Sequence, residues 1–418
     1  METITAVKGF KDILPDEAGR WQFVEEQARR IFTAFGCREI RVPILEKTEL
    51  FARGIGEATD IVEKEMYTFR DRGNEFLTLR PEATASIIRA YLEHHLYAAD
   101  QTARLYTIGP MFRRERPQKG RYRQFHQIDA EILGYEDPRI DAELILMLIH
   151  FLKNVGLREP RLEVNSLGCP VCRPSYRQAV QQHLSGEEES LCDDCRRRLT
   201  TNPLRIFDCK QEGCRKIISQ APEISTFLCS GCQEHFAGVL HSLELFHIPC
   251  QINSRMVRGL DYYTRTAFEV TTDYLGAQNA VVGGGRYDGL IRELGGPDIP
   301  GIGFAVGFER LLALTEDKRP DDFLSRPEIY VAALGSEAQS LAYRICNEFR
   351  LQGRQAEMDY WGRGLKSQMK RADKLGCRKV LIIGDREIAS QAATLRDMST
   401  GDQLTMSIAD PTELLRML

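Results

Sequence analysis

The sequence feature that most constrains the fold is a predicted β-hairpin whose second arm carries polar and charged side chains along one face. Its arms, residues 103–112 and 122–133, flank a tip at residues 115–120 that contains Pro117 and Gly120, which is typical of a hairpin with a longer loop. Because side chains alternate along a strand, one face of the second arm presents Arg123, Phe125, Gln127, Asp129 and Glu131. An ordinary half-buried strand would not carry this mixture, since burying it unpaired is costly.

The turn of this hairpin is crowded with arginines, namely Arg113, Arg114, Arg116, Arg121 and Arg123. Guanidinium groups held in fixed positions suit polyphosphates, because each fork donates two hydrogen bonds. For the charge run alone, a solvated basic hairpin is the simpler interpretation. The rest of the chain favours a ligand site.

Composition narrows the class of protein. A chain of 418 residues is long enough for two or three domains, and 43% hydrophobic with 28% charged residues describes a soluble globular protein. The net charge of −4 argues against a globally basic nucleic-acid binder but is compatible with local basic surfaces. The first residues lack the apolar core of a signal peptide, and the apolar run at residues 144–152 is too short for a bilayer. We therefore expect a cytoplasmic protein with no membrane partner.

Hydrophobic periodicity and turn signals predict further elements along the chain. In chain order these are a helix at 16–35, hairpin strands at 67–69 and 75–79, a helix from Pro81 through Tyr91, a helix at 138–155 and a strand at 257–271. Glu82 lies near the positive end of the second of these helices. Taken alone, Glu82 is explained by a favourable charge at a helix N-terminus.

The C-terminal part of the chain has a different pattern of predicted elements. Residues 316–326 are polar and contain Pro320, which predicts a linker. The alternating strands and helices that follow predict a small α/β domain with a mostly parallel sheet and a terminal helix from Asp410. Its positive charge is concentrated at Arg363, Lys366, Lys370, Arg371, Lys374, Arg378 and Lys379.

Eight of the twelve cysteines lie between Cys169 and Cys232, which predicts a separate inserted domain. They are paired as Cys169/Cys172, Cys192/Cys195, Cys209/Cys214 and Cys229/Cys232. Such pairs offer two thiolates to one ion, whereas disulfides are rare in cytoplasmic proteins. We expect a structural zinc ion at the two tight pairs that end the segment, Cys169, Cys172, Cys229 and Cys232. Eight thiolates also allow two tetrahedral sites, and the alternative is a set of free core cysteines.

Four segments together resemble a known family. The segment FRRERPQKGRYRQFHQ is similar to the second signature motif of the class II aminoacyl-tRNA synthetases, and GIGFAVGFERL is similar to the third. RGLDYYTRTAFEV and GGGRYDGL resemble two segments peculiar to the histidine enzymes. The sequence thus resembles the bacterial type of histidyl-tRNA synthetase over the whole chain, apart from details of the insertion.

The resemblance implies an α+β fold. A six-stranded antiparallel catalytic sheet flanked by helices would occupy residues 1–168 and 249–322, interrupted by a mostly helical cysteine-rich domain at 169–248. An α/β anticodon-binding domain would follow at 328–418. The implied protein is a homodimer that activates L-histidine with ATP, which enters with Mg²⁺, and then transfers histidine to its tRNA.

The resemblance also implies roles for individual residues. Arg113 would bridge the histidine carboxylate and the α-phosphate, and Arg258 would stand opposite it, where other class II enzymes place a metal ion; these two are the catalytic candidates. The remaining ATP contacts would be Glu115 to the adenine amino group, Phe125 stacked on the purine, and Arg121 and Arg310 on the outer phosphates. The remaining histidine contacts would be Glu131 and Tyr263 to the imidazole, with Glu82, Ala83, Thr84, Gln127 and Tyr262 around the amino acid. Arg116 and Gln118 would meet the tRNA acceptor end.

Two other functions fit parts of the sequence. Histidyl-synthetase-like regulatory subunits of a biosynthetic phosphoribosyltransferase sense histidine without charging tRNA, but they characteristically lose the RGLDYY segment and the C-terminal domain, and both are present here. A zinc-dependent nucleic-acid-binding protein fits the cysteines and leaves the arginine hairpin unexplained.

Overall fold

The computed structural model describes residues 3–56, 59, 61–98, 100–117, 120–157, 159–275, 280–315, 323 and 326–409. The chain divides into two compact units, Met1–Asp322 and Phe323–Leu418. The cysteine-rich insertion is part of the first unit, and the predicted boundaries at residues 168 and 248 stay predictions. Among the described helices, none has the length and apolar character that a bilayer crossing requires.

The first unit contains the following strands and helices in its described part. The strands are β1 (Arg38–Glu39), β2 (Leu45–Lys47), β3 (Tyr67–Arg70), β4 (Phe76–Leu79), β5 (Ala103–Phe112), β6 (Gln124–Leu133), β7 (Arg161–Ser166), β8 (Cys250–Ile252), β9 (Thr264–Thr271), β10 (Ala280–Arg286) and β11 (Gly301–Gly307). The helices are α1 (Pro15–Ala34), α2 (Thr48–Ile55), α3 (Thr84–Glu93), α4 (Pro138–Asn154), α5 (Arg173–Leu184), α6 (Asp193–Thr201), α7 (Glu212–Ile218), α8 (Ser230–Leu245), α9 (Leu290–Glu293) and α10 (Phe308–Leu314).

The main sheet has eight described strands in the order β1-β5-β6-β11-β10-β9-β7-β8. Its six central strands pair antiparallel throughout, which confirms the predicted six-stranded antiparallel sheet. The short strands β1 and β8 pair parallel with β5 and β7 and extend it at both edges. A second, three-stranded sheet has the order β2-β4-β3.

The hairpin that dominated the sequence is the pair β5–β6. Strand β5 has the predicted bounds, and β6 begins at Gln124, two residues later than predicted. The predicted strand at 257–271 is wrong in its first half, because the described strand β9 begins only at Thr264. The carbonyls of Gly259 and Tyr263 there accept hydrogen bonds from the arginine side chains of the insertion, so this segment is a loop held by tertiary contacts.

Helices α1 and α4 cover one face of the main sheet and form its core with residues such as Phe32, Leu148 and Phe304. The N-terminus of α4 is capped by Asp137, whose carboxylate accepts from the Arg139 N–H at 2.9 Å. One turn further, the fully buried Asp141 pairs with Arg286 of β10 at 2.8 Å. A buried pair holds its geometry when further hydrogen bonds satisfy the charges, and Arg286 also donates to the Tyr135 carbonyl at 2.8 Å. This pair fixes the end of β10.

The insertion between β7 and β8 is helical, as predicted, with α5 to α8 joined by short 3-10 turns. Helices α5 to α7 share a separate apolar cluster that includes Tyr176, Leu199 and Ile206. Helix α8 instead contributes Val239 and Leu243 to the core of the main sheet. The insertion is therefore anchored to the sheet by its last helix.

In its described part the second unit has one sheet flanked by helices. Its elements are β12 (Ile329–Ala333), α11 (Ser336–Leu351), β13 (Ala356–Met358), α12 (Leu365–Lys374), β14 (Lys379–Ile383), α13 (Asp385–Ser390), β15 (Ala392–Asp397) and β16 (Gln403–Ser407). Its described strands follow the order β13-β12-β14-β15-β16. The first two pairings are parallel and the last two antiparallel, so the sheet is mixed and the prediction of a mostly parallel sheet is wrong. The predicted helix from Asp410 lies outside the described residues.

Candidate active site

A cavity of about 260 Å³ opens over the face of the sheet formed by β6, β11 and β10. Most of the predicted ATP and histidine contacts line it. These are Glu82, Thr84, Arg113, Glu115, Arg121, Phe125, Gln127, Arg258, Tyr262, Tyr263 and Arg310. The side chains come from the hairpin, the start of α3, the loop before β9 and helix α10. The structure thus brings together residues that are up to 228 positions apart between Glu82 and Arg310.

Three arginines of this cavity are held by hydrogen bonds to the surrounding chain. Arg113 donates to the Pro81 carbonyl at 2.9 Å and lies 5.3 Å from the centre of the Phe125 ring. Arg121 pairs with the carboxylate of Glu115 at 2.7 Å. Arg310 donates to the Ala280 carbonyl at 2.7 Å. Held arginines need no reorganisation to bind an anion.

The pKa of Arg310 shows that these cations lie close to one another. Burial, followed by the nearby positive charge of Arg121, lowers the pKa of Arg310. Like charges brought together in a partly buried site repel unless an anion joins them. This part of the cavity therefore favours a polyanion.

Arg258 lies in the same cavity, ion-paired with Glu269 of β9 and 5.4 Å from the centre of the Tyr263 ring. Gly283 of β10 is the cross-strand neighbour of Glu269. A Cβ atom at position 283 would overlap the Arg258 guanidinium. The glycine therefore makes room for the arginine to lie against the sheet.

We predict that Gly283→Ala keeps the fold and weakens the site. The overlap is with the far end of a flexible side chain, so the guanidinium moves while the backbone stays. A small misplacement of a reacting-site group is costly, and we expect activity to fall by roughly tenfold. Histidine-dependent exchange of pyrophosphate into ATP measures this loss. Gly186→Ala is the matched control, because no atom lies within 4 Å of a Cβ at that position. Equal activity in the two variants would contradict the prediction.

A cluster of buried carboxylates lies beside the arginines. Glu131 accepts hydrogen bonds from the Thr84 hydroxyl at 2.6 Å and from the Tyr287 hydroxyl. Burial raises the pKa of Glu131 to about 8, against the lowering effect of these hydrogen bonds. Its cross-strand neighbour is Gly303, where a Cβ would overlap the carboxylate. Glu131 lies just behind the cavity wall that Thr84 and Tyr287 form.

Glu82 accepts from the backbone N–H groups of Thr84 and Ala85 at 2.8 and 3.0 Å. It therefore satisfies the N-terminus of α3, as the simplest interpretation of its position predicted, and it also lines the cavity. Burial raises the pKa of Glu82 despite these bonds. Two further acceptors beside it, Gln127 Oε1 and Asp129 Oδ2, are buried without a partner among the described residues. Such groups need a partner that a ligand or an ordered water supplies.

Several residues that line the cavity have no role predicted from the sequence, including Asp129, Leu260, Glu269 and Tyr287. Strand alternation already placed Asp129 on the correct face. Tyr287 was visible only as part of the GGGRYDG segment, and its contact with Glu131 depends on the register between β10, β11 and β6. Burial, followed by the charges of Glu131 and Glu82, raises the pKa of Asp129 well above its ordinary value.

Two further predicted site residues, Ala83 and Arg116, are described and do not line the cavity. Ala83 is fully buried at the start of α3 and is not part of the cavity wall. Arg116 is exposed at the hairpin tip. Gln118 lies outside the described residues.

The eight clustered cysteines form two groups of four, all with free thiols. In one group the sulfur atoms of Cys169, Cys172, Cys229 and Cys232 lie within 4.8 Å of one another. The other group joins Cys192, Cys195, Cys209 and Cys214 at the same spacing. Four convergent thiols match the donor set that tetrahedral Zn²⁺ prefers.

Comparisons with known proteins give matches along nearly the whole chain. The family described as "Histidyl-tRNA synthetase" matches residues 9–170 and 212–311, and the family described as "Anticodon binding domain" matches residues 328–418. The histidine–tRNA ligase of Geobacter metallireducens is 56% identical, covering 98% of each chain. That of Geobacter sulfurreducens is 56% identical, covering 97% of each chain. The structure of apo S. aureus histidyl-tRNA synthetase aligns with a TM-score of 0.84 at 36% identity, covering 99% of each chain.

These matches cover both compact units and all four segments on which the resemblance rested. They do not favour the interpretation as a regulatory subunit. They also argue against a zinc protein that only binds nucleic acid, since such a protein would not match the sheet and its arginine hairpin. The chain belongs to the histidyl-tRNA synthetase family.

Proposed function

We propose that this chain is a histidine–tRNA ligase, an aminoacyl-tRNA synthetase that forms histidyl-adenylate and pyrophosphate from L-histidine and ATP and then charges its tRNA. The observation that carries the proposal is one cavity that combines held arginines with buried, partly unpartnered acceptors. A nucleoside triphosphate needs the arginines, and the ammonium and imidazole groups of histidine need the buried acceptors. ATP enters as a substrate together with Mg²⁺.

In the activation step the histidine carboxylate attacks the α-phosphorus of ATP and pyrophosphate leaves. Negative charge builds up on the phosphoryl oxygens, and preorganised cations stabilise it. We assign Arg113 and Arg258 to the reacting carboxylate and α-phosphate, and Arg121 and Arg310 to the outer phosphates. Arg258 is a permanent charge, because a guanidinium effectively keeps its proton. No protein side chain acts as nucleophile, so catalysis consists of orientation and charge stabilisation.

Two further ATP contacts concern the base. Phe125 would stack on the purine, and its position beneath the Arg113 guanidinium leaves the ring in the cavity wall. Glu115 would accept from the adenine amino group. Its carboxylate already holds Arg121, so this single side chain would link the base site to the phosphate site.

Histidine recognition requires reading two ring nitrogens and one ammonium group. We assign Glu131 to a ring N–H and Tyr263 to the other side of the ring, with Tyr262 packed beside it. The ammonium group would be held by Glu82 and Gln127, with Thr84 and the adjacent Ala83 shaping this wall. A site that pairs polar groups in this way rejects apolar isosteres, because its own groups would be left unpaired.

The tRNA would contact both units. At the hairpin tip, Arg116 and Gln118 would meet the acceptor end. In the second unit the basic run of 363–379 would meet the anticodon arm, giving salt-sensitive binding. Beside this run Trp361 is 68% exposed, with Arg363 4.4 Å and Arg371 5.5 Å from its ring centre, an arrangement suited to stacking of bases.

We expect Arg116→Ala to separate the two steps of the reaction. Arg116 is exposed and outside the cavity wall, so pyrophosphate exchange with histidine should remain within about twofold of the wild type, as for a surface substitution. Aminoacylation should fall several-fold, because one phosphate or base contact at the acceptor end is lost. Measuring both activities on the same preparation checks this. A parallel loss of exchange would place Arg116 in the activation site.

The overall proposal is tested by pyrophosphate exchange with each amino acid in turn. Histidine alone should support exchange, and the product should transfer to tRNA with a histidine anticodon. Exchange with a different amino acid, or none with histidine, would overturn the assignment. The family relation also leads us to propose a cytoplasmic homodimer, which sedimentation of the purified protein would check for its oligomeric part.

We further propose a structural zinc ion at Cys169, Cys172, Cys229 and Cys232. The ion would close a long loop between the end of β7 and the start of α8. The Cys169 N–H donates to the Cys172 sulfur at 3.1 Å, and Cys229 and Cys232 lie at the N-terminus of α8, where a thiolate is favoured. The ion would have no part in catalysis. The zinc content of the purified protein, compared with that of Cys172→Ser/Cys232→Ser, tests this site, since the variant should hold one ion fewer per chain.

A further inference from the structure

The second cysteine group repeats the local geometry of the first. Cys192 precedes α6 and Cys195 lies in its first turn, as Cys229 and Cys232 do at α8. The Cys192 N–H donates to the sulfur of Cys214 at 3.2 Å. Both groups also show the same burial: the first cysteine of each pair is half-buried and the second is buried. Two unrelated sets of core cysteines would not be expected to share this arrangement.

The segment that this group joins has little other means of holding its shape. The apolar cluster of the insertion consists of eleven buried residues, of which two are Cys195 and Cys214 themselves. Cores of this size leave a small domain marginal without a disulfide or a metal. The four thiols join α6, the 3-10 helix Pro203–Asp208 and α7. A tetrahedral ion at this point would fix three short elements at once.

The same segment contacts the catalytic loop. The Asn202 side-chain amide donates to the carboxylate of Asp261 at 2.9 Å. Arg205 donates to the Gly259 carbonyl at 2.7 Å. Both acceptors follow Arg258 within three residues in the loop before β9, and Asn202 and Arg205 lie between Cys195 and Cys209 in the sequence. The position of the second cysteine group therefore determines the position of the side chains that hold this loop.

We infer that Cys192, Cys195, Cys209 and Cys214 bind a second Zn²⁺ ion, and that this ion positions the Arg258 loop through Asn202 and Arg205. The ion is structural and touches no substrate. Asn202 and Arg205 are positioning residues that act through Arg258. The catalytic part of the inference rests on the role proposed for Arg258, whereas the metal part does not depend on it.

Metal content tests the first part. The full-length wild type, purified without chelator, should contain about two zinc ions per chain, since four thiolates hold one ion. The double variants Cys195→Ser/Cys214→Ser and Cys172→Ser/Cys232→Ser should each contain about one. Where a variant fails to fold, the wild type still decides: titration of its twelve thiols with a mercurial should release about two zinc ions as the eight clustered thiols react. Release of only one ion, or a deficit of thiols that is restored by reduction and so reveals disulfides, would overturn the second site.

Kinetics test the second part, with protein whose zinc content has been shown to match the wild type. Arg205→Ala should lower kcat for pyrophosphate exchange by roughly tenfold, with KM for histidine and ATP little changed. The reason is that Arg258 stabilises charge that develops only in the transition state, so misplacing it affects the rate more than substrate binding. Arg205→Lys should restore part of the loss. Arg196→Ala is the matched control, since Arg196 is exposed on α6 and pairs only with Asp193 of the same helix among the described contacts.

A double-mutant comparison separates this inference from the proposed role of Arg258. If Arg205 acts through Arg258, adding Arg205→Ala to Arg258→Ala should cause little further loss. Full additivity of the two losses would show that Arg205 acts by another route and would overturn the positioning role. A normal rate in Arg258→Ala alone would instead refute the function assigned to Arg258, with the zinc measurements unaffected.

Discussion

Replacing Arg258 by alanine is expected to slow histidine-dependent pyrophosphate exchange by roughly 10²-fold or more, as for other preorganised groups that face developing charge. The guanidinium lies in the cavity, paired with Glu269 and fitted over Gly283. Its removal leaves the charge that develops on the α-phosphate without one of its two proposed partners. It also leaves the half-buried Glu269 without its cation, which raises the free energy of the folded state.

Exchange kinetics at saturating ATP, together with the thermal midpoint of each variant, would measure both effects. Arg258→Lys keeps the charge but loses the planar fork, so its rate should be intermediate. Arg255→Ala is the matched control, because Arg255 donates to the Ser219 carbonyl in the insertion and does not line the cavity. Near-normal exchange by Arg258→Ala would assign the stabilising charge to another residue.

Replacing Glu131 by alanine is expected to lower kcat/KM for histidine on the order of 10²-fold while changing KM for ATP little, since a recognition site that loses its partner for a polar group discriminates strongly. Glu131 is buried, accepts from Thr84 and Tyr287, and faces the space left by Gly303. Glu143→Gln provides a control carboxylate, because Glu143 pairs with Arg104 outside the cavity wall. Equal loss of histidine and ATP use would show that Glu131 has a structural role.

The same residue gives a pH signature. Burial raises the pKa of Glu131 from 4.5 to about 8, so between these values the folded chain binds more protons at this site than the unfolded chain. Stability from this group is therefore present at low pH and is lost as the pH rises towards 8. Glu131→Gln lacks this proton equilibrium, and its thermal midpoint relative to the wild type should increase between about pH 5 and pH 8. A difference independent of pH would show that Glu131 is already ionised in the folded chain at pH 5.

The sequence predicted those parts of the fold in which local pattern and tertiary structure agree. The bounds of β5, and those of α1 and α4 to within a residue or two, follow from periodicity, from Pro138 at a helix start and from apolar faces that the core then buries. Residues 257–263 were misassigned because their aromatic and apolar composition is that of a strand. Their conformation is instead set by Arg173 and Arg205, contacts that no local pattern reveals.

The site shows the same division. Signature segments indicated Arg113, Arg121, Arg258 and Arg310, and the structure places all four in one cavity. No role was predicted for Tyr287 and Glu269, because their contacts with Glu131 and Arg258 depend on strand register. That register places Gly303 opposite Glu131 and Gly283 opposite Glu269. Register depends on pairings between strands that are distant in sequence. The sequence therefore indicated the charged residues of the site, but not the residues that hold them in place.

The two glycines opposite these acids also limit how the enzyme can be redesigned. A library that seeks to admit an unnatural amino acid usually changes the walls of a pocket, yet any β-carbon at position 303 or 283 displaces Glu131 or Arg258. Glycine is therefore the residue that preserves full activity at these two positions. Diversity is better introduced at the side chains that surround the same space, Thr84, Tyr262 and Tyr287. The strands β10 and β11 would stay unchanged, and altered substrate preference would come from the start of α3, the loop before β9 and the residue that follows β10.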